Sequence, residues 1–177
     1  MTIEDPIVLL VDDSVNDAKL MHAVFERAGF IEPLRSTQGA DGAIAYLRGD
    51  GVYGDRQQFP LPTALLLDLN MPGKNGFEVL EWIRQRPALK RLRVFILSAS
   101  SRPQDIERAY DLGASSYLVK PRNLDGLMHL AKSLVTWLKL NHFAPLTNAC
   151  ESEDRQFSRA HSDNHGRAAF ARYQPMR

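Results

Sequence analysis

Short apolar runs alternate with stretches of helical spacing through the first 140 residues, and polar residues stand at each junction. Ile7 to Val11 is continuously apolar and β-rich, the pattern of a strand covered on both faces by helices. It ends on Asp12-Asp13. Ser14 is placed to cap a helix in which Ala18, Met21, Val24, Phe25 and Ala28 recur at helical spacing until Gly29 stops it. A weaker strand is predicted over Pro33 to Thr37, then a helix from Ala40 to Leu47 with Ala43, Ile44 and Leu47 on its apolar face. A third strand, from Ala64 to Leu67, delivers Asp68 to its tip, where Asn70-Met71-Pro72-Gly73 turns the chain away. Phe77, Val79, Leu80 and Ile83 mark the third helix, which Pro87 ends. Arg93 to Leu97 predicts a strand closing on Ser98-Ala99-Ser100-Ser101, and Pro103 opens a helix that Gly113 closes after Leu112. Ser116 to Val119 is a short fifth strand ending on Lys120-Pro121, and a last helix spans Leu124 to Leu140.

Five strand–helix units in succession predict an α/β fold, a parallel sheet with helices on both faces, because parallel crossovers are right-handed. The strand C-termini then share one edge, so Asp12, Asp13, Asp68, Ser98 and Lys120 converge there although they lie far apart in sequence. The connection from Gly49 to Pro62 holds three glycines and two prolines and is long for such a unit, either a surface insertion or a lengthened helix end. Residues 1–144 are expected to form one domain. From Pro145 to Arg177 the periodicity dissolves into polar residues, the mark of a disordered tail too short for a helix-turn-helix output domain.

Composition narrows the partners. A net charge of +1 on 177 residues gives no electrostatic case for nucleic acid or a membrane surface. The early apolar run is too short for a signal-peptide core or a membrane span, which predicts a cytoplasmic protein. The single cysteine, Cys150, cannot form an internal disulfide, and with His161 and His165 it lacks the fourth ligand and the framework of a metal site.

Clustered carboxylates repel by roughly 4 kcal/mol per pair at an effective dielectric near 20, so a cation must sit among them. Hard oxygen donors without cysteine or histidine favour Mg²⁺, which is commonly shared with a phosphate. A carboxylate can attack phosphorus to give an acyl phosphate, and Asp68, the middle acid, is the candidate nucleophile. Lys120 and the Ser98 hydroxyl can stabilise the phosphoryl oxygens. Taken singly, the lysine reads as a solvated charge, the serine as a helix cap and the paired aspartates as N-caps. A haloacid-dehalogenase-type phosphatase wants a second acid two positions after the nucleophile, and Asn70 cannot relay that proton. No Gly-rich loop follows the first strand, which argues against a nucleotide- or flavin-binding domain.

Val11-Asp12-Asp13, Leu67-Asp68-Leu69-Asn70-Met71-Pro72-Gly73, Leu97-Ser98-Ala99 and the run from Gly113 to Pro121 together resemble the receiver domain of two-component response regulators, over about Ile7 to Phe143. The resemblance implies a flavodoxin-like three-layer (βα)5 sandwich with strand order 2-1-3-4-5. It implies phosphoryl transfer from a phosphohistidine of a sensor histidine kinase to Asp68. Mg²⁺ would be held by the side chains of Asp13 and Asp68 and the backbone carbonyl of Asn70, with Asp12 acting through water. Lys120 would contact the phosphate, and Ser98 and Tyr117 would form the switch pair that reports to the face made by the fourth helix, fifth strand and fifth helix. Such a protein is no enzyme toward free metabolites and catalyses only its own phosphorylation and dephosphorylation. The long Gly49–Pro62 segment and the missing output domain resemble the single-domain regulators of bacterial phytochromes and hybrid kinases. A phosphorylation-independent pseudo-receiver is the alternative. In the last helix, Leu127, Leu130, Leu134 and Leu138 form a stripe that Met128, Val135 and Trp137 widen beyond one sheet face, pointing to a homodimer through that face or to a tail folded over it.

Overall fold

The structure is a computed structural model that describes residues 6–30, 34–73, 75–143 and 146. Five parallel strands, β1 (Val8–Val11), β2 (Arg35–Thr37), β3 (Ala64–Leu67), β4 (Arg93–Ser98) and β5 (Ser116–Val119), pair in the order β2-β1-β3-β4-β5. The helices α1 (Val15–Arg27), α2 (Gly39–Arg48), α3 (Gly76–Arg84), α4 (Pro103–Asp111) and α5 (Leu124–Leu140) alternate with them. This is the predicted (βα)5 sandwich.

β1 and β3 are apolar at every position and β4 at its four inner ones, because both faces of these strands are covered, and their side chains sort by period two. Leu9, Val11, Leu65, Leu67, Val94 and Ile96 join one core cluster with α2, α3 and Ala109 of α4. Val8, Leu10, Ala64, Leu66, Phe95 and Leu97 join the other with α1 and α5. Ser14 caps α1 by accepting from the Asp17 N–H at 3.2 Å, as its position predicts. Asn75 and Glu78 close a reciprocal capping box at the start of α3.

The Gly49–Pro62 connection does not lengthen the helix, since α2 ends at Arg48 with Gly49 as a left-handed cap; it is a surface segment with a short turn of its own. A 3₁₀ turn over Gly51–Gly54 follows α2, and Tyr53 and Phe59 pack on Tyr46 at ring-centroid distances of 5.1 and 6.1 Å. Arg56 turns back onto α2, its guanidinium donating to the carbonyls of Tyr46 (2.8 Å), Leu47 (2.9 Å) and Phe59 (3.2 Å). The Tyr46 and Leu47 carbonyls lie in the last turn of α2, where a helix runs out of intrahelical donors, and Phe59 belongs to the segment packed over that end.

The apolar surplus on α5 is smaller than the stripe suggests. Leu127, Leu134, Val135 and Leu138 are buried, Met128 and Leu130 pack against the same cluster, and the Trp137 ring stands edge-on to Phe95 at 5.1 Å. Among the described residues no helix is long and apolar enough to cross a membrane. The stretch predicted as a disordered tail lies outside the described residues apart from Leu146, which packs against the core.

Candidate functional site

Strand register places the acids. Val11 is level with Leu67, so the residues that follow them, Asp12 and Asp68, leave neighbouring strands together. The Asp68 N–H donates to the Val11 carbonyl at 3.0 Å, continuing the ladder one step past the strand ends. On the other flank Ser98 is level with Val119, and the Lys120 N–H donates to the Ser98 carbonyl at 2.8 Å. The turn after Asp68 closes through the Gly76 N–H on the Leu69 carbonyl at 3.2 Å. A side chain at Gly76 would fall on the Asp68 carbonyl oxygen and within 2.9 Å of Leu69 Cα. The turn that presents Asp68 therefore demands glycine there for space rather than for backbone angle.

Asp12 and Asp68 are buried, at 2% and 8% exposure, and Asp13 is exposed. Each buried carboxylate divides its two oxygens. Asp12 Oδ1 accepts from the Ser14 N–H at 2.9 Å and Asp68 Oδ1 from the Asn70 N–H at 3.0 Å, which fixes both groups to their own loops. Their Oδ2 atoms both accept from Lys120 Nζ, at 2.8 Å and 2.6 Å. Burial alone would depress the lysine, but these hydrogen bonds and charges outweigh it and raise its pKa above the usual lysine value. The ammonium is thus a permanent charge bridging two strands. Ligand oxygens of Asp12, Asp13 and Asp68 lie within 4.8 Å of one another. One ammonium among three carboxylates leaves an excess of negative charge, and an all-oxygen donor set with an exposed member suits a hard divalent cation that keeps part of its water.

The hydroxyl side of the site is a chain of hydrogen bonds. Ser98 is fully buried, and its Oγ accepts from Asn70 Nδ2 at 3.3 Å and from the Ser100 N–H at 3.2 Å. A hydroxyl has two acceptor sites and one donor, so both acceptor sites are used and the proton stays available for another oxygen. Ser100 passes the contact on in two directions. Its carbonyl accepts from the half-buried Tyr117 hydroxyl at 2.9 Å, and its own hydroxyl donates to Asp105 Oδ2 on α4 at 2.6 Å. Arg102 Nε holds the same Asp105 oxygen at 2.9 Å.

The structure thus brings together Asp12, Asp13, Asp68 and Lys120 at one edge, with Asn70 and Ser98 joined beside them and Tyr117 one serine further out. Sequence reasoning missed Asp105, whose signal is its place in the first turn of α4, five residues after Ser100. It also missed Asp17, whose Oδ2 lies 3.8 Å from Lys120 Nζ and which stands one helical turn after Asp13.

Comparison with known proteins agrees with this geometry. Residues 8–132 match the model of the response regulator receiver domain, and the chain belongs to that family of two-component signalling proteins. It is 36% identical over 134 residues to response regulator Rcp1 of Synechocystis, covering 75% of this chain and 89% of Rcp1. Among solved structures, the Mn²⁺-bound form of Rcp1 superposes with a TM-score of 0.67 at 33% identity, covering 78% of this chain and 99% of that one. The phosphorylated cyanobacterial phytochrome response regulator RcpA gives a TM-score of 0.69 at 34% identity, covering 79% of this chain and 99% of RcpA.

Proposed function

We propose that this receiver accepts a phosphoryl group on Asp68 from a phosphohistidine of a sensor histidine kinase and relays its presence to the face built by α4, β5 and α5. The observation that carries the reading is Lys120 Nζ held between Asp12 and Asp68, with Asp13 completing the trio of carboxylates. Asp13, Asp68 and the Asn70 carbonyl would hold Mg²⁺, with Asp12 beside it, and the ion would neutralise charge on the phosphoryl oxygens. A carboxylate oxygen of Asp68 forms the new bond to phosphorus as the phosphorus–nitrogen bond of the donor breaks, leaving the imidazole neutral after it takes up a proton. Lys120, already charged, exchanges one carboxylate contact for a phosphoryl oxygen. Ser98 donates its free proton to another. Two relatives, Rcp1 with bound Mn²⁺ and RcpA in its phosphorylated form, support this ion class and this modification.

Moving the Ser98 hydroxyl toward Asp68 strains its contact with the Ser100 N–H, and Ser100 is tied to Tyr117 and, through Asp105, to α4. A two-state shift of the loop between β4 and α4 then alters the α4–β5–α5 face, on whose elements Tyr110, Val119 and Leu124 are exposed. A second copy of the chain meets that face in the phosphorylated state, and a phytochrome-like or hybrid kinase supplies the phosphoryl group. The test is intact mass after incubation with acetyl phosphate and Mg²⁺. One phosphoryl adduct is expected, lost with Asp68→Asn and with EDTA; an adduct that survives Asp68→Asn overturns the assignment. Sedimentation with and without the adduct reads the dimer, and a monomer in both states removes it.

A further inference from the structure

The opposite edge of the sheet, where the strands begin, carries a charge feature with no part in the phosphoryl chemistry. Lys90, Arg91 and Arg93 follow one another around the corner between α3 and β4, and all are exposed. No carboxylate among the described residues pairs with any of them. Arg84 beside them is pushed below its usual pKa, by burial and then by the charge of Arg93, so the neighbourhood is crowded with like charge. The three cations line a cavity of about 460 Å³ whose other walls include Phe143 and Leu146. A larger cavity of about 890 Å³ adjoins it, sharing Lys90, Arg93 and Phe143 and reaching Leu118 of β5 and Trp137 of α5.

Leu146 brings the C-terminal part of the chain into this basic cavity, and five residues further on the sequence reads Glu151-Ser152-Glu153-Asp154. Five extended residues span up to about 17 Å, enough to lay these carboxylates along the rim. We propose that the acidic stretch from Glu151 to Asp154 of this same chain docks on Lys90, Arg91 and Arg93 and covers the cavities beside them. Three acids in four positions match three cations that pair with no carboxylate among the described residues. Exposed ion pairs are individually weak and screened by salt, so the contact is a displaceable cover rather than a fixed part of the fold. Because the larger cavity runs under β5 and α5, the docked segment occupies the lower part of the face that carries the output. A partner arriving there has to displace it. The proposal does not depend on where the phosphoryl group goes.

The test uses the whole chain and a Glu-specific endoprotease, with cleavage after Glu151 and Glu153 followed by mass. At low salt the unmodified chain should be cut about fivefold more slowly than Lys90→Gln/Arg91→Gln/Arg93→Gln, the scale set by a few exposed ion pairs. In 1 M NaCl, where screening acts within about 3 Å, the two rates should converge. Asp154→Asn leaves both cleavage sites and the folded domain intact and should give an intermediate rate, which keeps the test sound even if the triple variant folds poorly. Equal rates for all three chains at low salt overturn the proposal, as does protection that acidic peptide or salt cannot remove. Protection that rises with protein concentration overturns the intrachain assignment, since it would mean that a second copy supplies the segment.

Discussion

Lys120 and Arg56 are both half-buried cations set just outside regular structure, and their partners separate what each does. Arg56 spends its donors on three neutral carbonyls around the end of α2. The guanidinium fork matches fixed acceptors there, and nothing about that site calls for a further ligand. Lys120 instead meets two carboxylates from different strands, with a third carboxylate close by. Its single ammonium leaves the cluster short of positive charge. A cation that satisfies carbonyls completes a fold; a cation outnumbered by acids marks a site built for something more.

The harshest way to break the contrast is Gly76→Ala. The added methyl has to displace the Asp68 backbone itself, so the turn that aims the nucleophile cannot form as drawn. Urea denaturation should show a loss of about 3 kcal/mol, the upper end of what steric overlap in a packed interior usually costs. Arg56→Ala comes next. It removes three charge-assisted hydrogen bonds and leaves helix-end carbonyls to water, which should cost about 2–3 kcal/mol. Phosphoryl uptake should be unchanged. Arg56→Lys should recover only part of the loss, because an ammonium cannot span the three carbonyls.

Lys120→Ala sharpens the same contrast through ion dependence. In EDTA the three acids lose their compensating charge, and the melt should fall by the equivalent of about 2 kcal/mol. Millimolar Mg²⁺ should return most of that loss and raise the melting temperature of the variant more than that of the unmodified chain. The Arg56→Ala melt should respond to Mg²⁺ no more than the unmodified chain does. If Lys120→Ala gains nothing from Mg²⁺, the carboxylates do not form the cation site argued above.

These two cations also show what was legible in the sequence. The strands, the helices and the edge gathering Asp12, Asp68, Ser98 and Lys120 follow from apolar runs ending on polar residues, since register in a parallel sheet converts strand ends into neighbours. Arg56 was not legible, because a loop arginine that folds back on carbonyls has no periodic signature. The same holds for the Ser100–Asp105 contact, which depends on how the loop turns into α4. On α5 the pattern overstated the exposed surface: Val135 is buried and Trp137 finds Phe95 and Phe143, a loop residue that periodicity cannot place.

The smallest effect is the most local. The hydroxyl of Ser100, and next the guanidinium of Arg102, hold the Asp105 carboxyl below the ordinary aspartate value of 3.8. A carboxylate depressed in the folded state contributes stability that is present above about pH 3.8, the unfolded value, and is lost as pH falls through the lower folded value. Carbon-detected NMR should therefore titrate Asp105 below 3.8, and Ser100→Ala should move the midpoint upward. Because the carboxyl is only half-buried and sits at the surface end of α4, the change in global stability should be too small to resolve by melting. The informative readout is the same titration in the phosphorylated state. If the relay from Ser98 through Ser100 to α4 operates, the phosphorylated protein should resemble Ser100→Ala at this one carboxyl; an unmoved midpoint would mean that the hydroxyl shift stops at Ser98 and that α4 receives its signal by way of Tyr117 alone.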